Sequence, residues 1–94
     1  MAYPGGRFEV KMAAVRVTVE DKRAEKTKWA KFRLGLHGWF SDDYDMELKN
    51  GKWEGKAPVS TTTRYIVVYG SNFQHVEEWS EDLADTAQFV FILS

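Results

Sequence analysis

Leu34-Gly-Leu-His-Gly-Trp-Phe-Ser-Asp-Asp-Tyr-Asp-Met46, followed by Asn50-Gly-Lys-Trp-Glu54 and Arg64-Tyr-Ile-Val-Val-Tyr69, is the stretch on which the fold turns. It reads as strand, aromatic loop, strand, tight turn, strand, polar loop and strand. Asn50-Gly51 carries the clearest local signal. A two-residue type I′ hairpin turn needs positive φ at both central residues, a conformation that Asn and Gly adopt at low cost. Before the turn Tyr44, Met46 and Leu48 alternate with Asp45, Glu47 and Lys49; after it Trp53 is in phase with the small residues Gly55 and Ala57. One face of the hairpin is therefore apolar and requires a second layer to cover it.

The flanking segments read as that layer. Phe8, Val10 and Met12 alternate with Arg7, Glu9 and Lys11, the pattern of a half-buried strand. At Ala13-Ala14 the alternation changes phase, and Val15, Val17 and Val19 carry the apolar face onward. Such a slip indicates a β-bulge or a strand that crosses between sheets. Glu20 to Lys28 has no apolar stripe and reads as a solvated loop. From Ala30 the alternation resumes, with Ala30, Phe32, Leu34 and Leu36 inward and Trp29, Lys31, Arg33 and His37 outward, which sets Trp29 on the solvent side unless a neighbouring loop covers it. Tyr65 to Tyr69 is apolar on both faces and suits a central strand. Gly70-Ser-Asn72 is a turn. Val76, Trp79 and Leu83 give residues 73–86 only a thin helical face, so this part is expected to be an irregular loop with room for one helical turn. Ala87 to Leu93 closes the fold as a buried strand.

About seven short strands with regular turn signals and no crossover helix specify an all-β protein, an immunoglobulin-like antiparallel β-sandwich. Residues 1–6 form a flexible lead, since Pro4-Gly5-Gly6 does not hold regular structure. Residues 7–94 are expected to make one sandwich domain, because 94 residues suffice for a single modest core.

The composition, 44% apolar and 29% charged, is that of a globular chain, but four Trp, four Tyr and six Phe make it rich in aromatics. A net charge of -1 argues against nucleic acid or an anionic membrane as the main partner, since both reward a basic surface. The absence of cysteine excludes disulfides and thiolate chemistry and leaves the redox compartment open. No apolar run approaches the roughly 18 residues that span a bilayer. Met1 to Gly6 lacks the regions of a signal peptide, which fits a cytoplasmic protein or a domain excised from a longer secreted chain.

Catalysis is not expected. His37 and His75 are the only histidines, and neither stands in a Ser or Asp constellation. Fourteen acidic residues make neighbouring carboxylates such as Glu77-Glu78 or Asp42-Asp43 easy to find, whereas glycosidase chemistry needs two carboxylates flanking a cleft. Asp42, Asp43 and Asp45 beside Ser41 could gather oxygens for Ca²⁺, yet no glycine or glutamate falls at the EF-hand positions. They read as a solvated acidic loop, with no metal and no cofactor.

The aromatics carry the sharper expectation. Trp39 lies in Gly38-Trp-Phe-Ser-Asp-Asp43, and Trp79 in Glu77-Glu-Trp-Ser-Glu-Asp82. Loops run over surfaces, so large rings there suit binding. An indole beside amide and carboxylate acceptors fits the apolar face of a sugar ring and the hydroxyls around its edge. The competing expectation is that each indole folds back as a lid over an open end of the sandwich. Trp53, in phase with Gly55 and Ala57, is assigned to the core.

These features also come in a recognisable order: Gly35 to Trp39, Met46 to Leu48, Gly51 to Glu54, Tyr65 to Tyr69, and Trp79 to Asp82. Over about residues 30 to 92 this order resembles the starch- and glycogen-binding carbohydrate-binding modules. The resemblance implies a polysaccharide or oligosaccharide partner, an α-glucan. Trp39 and Trp79 would stack on glucose rings, and Asn72 and Asp82 would be polar partners. Some of these modules carry Asp-Asn-Asn after the last Trp, where this chain has Ser80-Glu81-Asp82. Trp29, outward by its register, is a further ligand-binding candidate. The alternative is a protein-interaction or assembly sandwich in which the exposed aromatics, Trp29 and Trp39 among them, meet a protein partner or a second copy.

Overall fold

Val15, Val17 and Val19 place three β-branched side chains on one face of an extended strand, and all three are fully buried. In the computed structural model, which describes residues 13–24, 26–36 and 39–94, they stand at the centre of the first of two sheets. Nine strands follow one another among the described residues: β1 (Ala13–Asp21), β2 (Trp29–Leu36), β3 (Trp39–Phe40), β4 (Tyr44–Asp45), β5 (Glu47–Lys49), β6 (Lys52–Val59), β7 (Tyr65–Gly70), β8 (His75–Trp79) and β9 (Gln88–Leu93). The expectations for the lead 1–6, for Phe8, Val10 and Met12, for His37 and for the side chain of Leu36 fall outside what is described.

The first sheet has the order β5-β6-β1-β9, and the second runs β3-β2-β7-β8 with β4 also paired to β2. Each buries one face against the other, so the chain is an all-β sandwich. Asn50 and Gly51 have φ of 51° and 80°, so the hairpin turn between β5 and β6 has the expected positive dihedrals. The core gathers Val15, Val17, Val19, Trp29, Phe32, Leu34, Ile66, Val68 and Leu83, with Met46, Ala57, Val59 and Phe91 at its margins; Trp53 packs against it half-buried.

Several expectations are corrected. The pairing is not wholly antiparallel, because β1 and β9 run side by side in parallel, Val17 opposite Phe89 and Val19 opposite Phe91. The chain reaches β9 through the long return after β8, not through a hairpin, and so enters from the same end as β1. The crossing between sheets seen among the described residues lies at Met46, while the phase change expected at Ala13-Ala14 is measured against Phe8, Val10 and Met12, outside those residues. From Ala13 to Val19 β1 pairs with β6 without a register shift, whereas β4 belongs to the second sheet and β5 to the first. Gly55 makes that crossing possible: a Cβ there would stand 2.7 Å from the Asp45 carbonyl oxygen and 2.7 Å from a Phe32 ring carbon.

Residues 75–79 form an edge strand where an irregular loop was expected, and one 3₁₀ turn, Leu83–Asp85, follows it. Backbone pairing with β7 sustains this strand despite Glu77 and Glu78, charges of the kind that edge strands carry. Finally, Trp29 is core and not surface, 1% exposed. The pairing of β2 with β7 shifts between Trp29 and Lys31, so an extra residue reverses the alternation there: Trp29 turns inward and Ala30 outward.

The same indole explains why Glu20 to Lys28 is not simply a solvated loop. Its Nε1–H donates to Asp21 at 3.1 Å, and Arg23 donates to both oxygens of that carboxylate at 3.0 Å. The Arg23 hydrogen bonds, and then that of Trp29, outweigh desolvation and hold the Asp21 carboxyl at about 2, below its usual 3.8. Arg23 also donates to the Gln74 side-chain oxygen at 3.0 Å, tying this connection to the β7–β8 turn.

Candidate functional site

Strand registers lay out the outer face of the second sheet as a lattice. Phe32, Leu34, Ile66 and Val68 point inward and are buried, so the residues between them in sequence point outward. Along β7 these are Tyr65, Val67 and Tyr69, of which Val67 is covered by its neighbours and buried. Their partners are Gly35, Arg33 and Lys31 on β2 and Trp79, Glu77 and His75 on β8. Gly35 is also opposite Phe40 on β3. Directly opposed residues share a face, so one row across four strands reads Phe40, Gly35, Tyr65, Trp79.

That row is an aromatic platform with a gap built into it. At Gly35 a Cβ would fall 2.5 Å from the Tyr65 Cβ and about as close to its ring as 3.1 Å. Without one, the Tyr65 ring lies over the strand at Gly35 and reaches Phe40, centroids 5.8 Å apart and planes tilted by 58°. Phe40 is 50% exposed, Trp79 is 61% exposed and Tyr65 is half-buried between them. The three rings therefore form a surface strip rather than part of the core.

Polar groups border the strip. In the next row Arg33 donates to the Asp43 carboxylate and lies over the Tyr69 ring, 5.4 Å from its centroid. That hydrogen bond raises the pKa of Arg33 above its ordinary value and lowers that of Asp43, so both are charged at neutral pH. Beyond Trp79, Arg64 faces Glu81 at 3.6 Å, and its guanidinium donates to the carbonyls of Thr61 and Thr63. The Ser80 N–H donates to the Arg64 carbonyl at 2.9 Å and continues the β8 pairing past Trp79. Fixed dipoles and charges thus stand around exposed rings, an arrangement suited to binding a ligand with an apolar face and a hydroxylated edge.

The structure separates the five residues singled out from the sequence. Trp79 lies in the aromatic row. Trp39 is 68% exposed at the same end of the sheet, but its register partner is Leu36, one position beyond the row. Adjacent strand residues leave on opposite faces, so Phe40, not Trp39, shares the side of Trp79. Asp82 is exposed three residues after Trp79, in the loop that leads into the 3₁₀ turn; its N–H donates to the Ser80 hydroxyl and its carbonyl accepts from Thr86. Asn72 is at the other end, in the β7–β8 turn, about 16 Å of strand away from the Tyr65 end. It cannot reach the same small ligand as Trp79. Trp29 is buried and leaves the site altogether.

Phe40 and Tyr65 are not among the residues that the sequence singles out. Phe40 stood in the quoted aromatic loop and Tyr65 in an apparently central strand, and only the register across Gly35 brings them together. A glycine facing a tyrosine across two strands was the available signal, but strand pairing is needed to see it. Comparison with protein-family models, with curated protein sequences and with solved structures gave no match.

Proposed function

We propose that this chain is a non-catalytic carbohydrate-binding module, an immunoglobulin-like β-sandwich that holds an α-glucan against the outer face of its second sheet. The observation that carries the reading is the row Phe40–Tyr65–Trp79, three aromatic rings left on a solvent face by their register. The order of motifs shared with starch- and glycogen-binding modules supports the choice of α-glucan over other sugars. Binding is by stacking on a preformed surface, with Arg33, Glu77 and Glu81 within the same face or its margin to take hydroxyl hydrogen bonds. No cofactor and no metal enters.

Intrinsic fluorescence provides the test, because Trp79 is one of only four tryptophans. Maltoheptaose or soluble starch should quench the emission in a saturable way, and Trp79→Ala should remove most of the response. Unchanged emission, with unretarded migration through gels cast with starch or glycogen, sinks the proposal.

One observation favours a second reading, an assembly sandwich that meets its partner through β9 rather than through the exposed aromatics. On β9 the outward residues Val90 and Ile92 are exposed, and Gln88–Leu93 contains no charge. The two readings use opposite sheets. Trp79→Ala should abolish sugar binding without changing the molecular mass, whereas an interface on β9 should respond to Ile92→Lys and ignore Trp79→Ala.

A further inference from the structure

The outer face of the second sheet carries aromatics at both of its ends. Four residues along β7 from Tyr65, and on the same side of the strand, stands Tyr69, opposite His75. At about 3.4 Å per residue the two tyrosines lie about 14 Å apart. Arg33, Val67 and Glu77 occupy the row between them.

Beyond Tyr69 the chain turns through a segment with two unusual residues. Asn72 and Phe73 have φ of 58° and 61°, in the left-handed region. Asn adopts it readily, but a bulky side chain does so seldom, because its Cβ crowds the following carbonyl. Phe73 gains no burial in exchange, since its side chain is fully exposed. The turn is nevertheless firmly braced. The Ser71 N–H donates to the Lys28 carbonyl, the Lys28 N–H to the Ser71 hydroxyl, and Arg23 to the Gln74 side chain, each at 3.0 Å. The positive φ values serve the turn itself, which the Gln74 N–H closes on the Ser71 carbonyl, but a bulky exposed ring stands at the central position where glycine would cost least, and such costly residues concentrate where a ligand is gripped. Phe73 lines an open hollow of about 580 Å³ with Tyr69, Gly70, Asn72, Gln74 and His75.

We propose that this hollow is a second stacking patch, and that it takes the same glycan chain that rests on the Tyr65–Trp79 row. The inference rests on the sugar-platform reading. Its occupant follows from continuity: both patches lie on one sheet face, both set a tyrosine beside polar side chains, and the strip between them offers Arg33 and Glu77 to hydroxyls. Two linked contacts raise the affinity for a ligand long enough to reach both and leave the affinity for a short one unchanged. The face then selects long chains. This also gives Asn72 a role, as a polar partner at the far patch rather than beside Trp79.

Phe73→Gly is the informative variant. Glycine accepts positive φ freely, so the substitution should raise the thermal midpoint while deleting the ring. Binding of maltose and of amylose would be measured by calorimetry for the wild type, Phe73→Gly and Trp79→Ala. The expected result is that Phe73→Gly keeps the maltose Kd within about twofold and weakens amylose at least tenfold, while Trp79→Ala weakens both. Equal amylose affinity in Phe73→Gly and wild type overturns the second patch and leaves the platform standing. Equal weakening toward both sugars overturns the two-patch arrangement as well. A wild type that binds neither sugar overturns the platform reading, and this inference with it.

Discussion

At the scale of single residues, Trp29 and Trp79 show how the same side chain comes to serve opposite ends. Trp29 is drawn inward by one extra residue in β2 and is satisfied there by Asp21, whose carboxylate also holds Arg23. The Asp21 pKa is depressed from 3.8 to about 2 on folding. A group depressed in the folded state stabilises above its unfolded pKa, and that contribution fades as pH falls from about 3.8 toward 2. Asp21→Asn should therefore cost about 1–2 kcal/mol at neutral pH, on the order of 4–16 °C in thermal midpoint. The difference from wild type should shrink through this acid window and be nearly gone at pH 2, as followed by circular dichroism. Trp79, by contrast, gains its position from the register of β8 and contributes little to the core. Alanine there should leave the midpoint within a few degrees and weaken the proposed glucan binding about 30-fold or more. Phe40→Ala should weaken it about tenfold, and Trp39→Ala distinctly less, because only Phe40 shares the face. Equal losses at positions 39 and 40, measured by titration calorimetry, would refute the register argument.

At the scale of elements, what was legible in the chain follows what local chemistry determines. The Asn50-Gly51 turn, the inward valines of β1 and the inward Phe32 and Leu34 were readable because turn dihedrals and two-residue alternation are properties of neighbouring residues. The bulge at Trp29, the parallel pairing of β9 and the crossing at Met46 were not, because each depends on which distant strand lies alongside. The same division runs through the site. Trp79 could be suspected from its polar neighbours, but its companions Phe40 and Tyr65 needed the pairing across Gly35. Crossing at Met46 depends on Gly55 in turn, since backbone carbonyl and buried ring both stand where a side chain would start. Gly55→Ala should cost about 1–3 kcal/mol through that overpacking. A chemical denaturation midpoint unchanged from wild type would show that the two sheets are not so tightly apposed there.

At the scale of the whole molecule, the two sheets end in differently protected edges. The second sheet closes on β8, where Glu77 and Glu78 discourage another strand from adding on. The first closes on β9, Gln-Phe-Val-Phe-Ile-Leu, which carries no charge, and among the described residues nothing pairs with its other side. Its inner residues Phe89, Phe91 and Leu93 pack on the core, so they are not free to change; its outer residues Val90 and Ile92 are exposed. A short, uncharged, β-prone run at a sheet edge is the kind of segment through which chains associate once heating loosens them. A single lysine on the outer side should act on that association and scarcely on the fold, because the mutated side chain already faces water. Ile92→Lys is therefore expected to change stability by less than about 0.5 kcal/mol and to delay the onset of light scattering on heating. The sugar binding proposed for the opposite sheet should be untouched. If Ile92→Lys aggregates as fast as the wild type while Phe73→Gly does not, the exposed aromatics of the second sheet, and not this edge, are where copies of the chain meet.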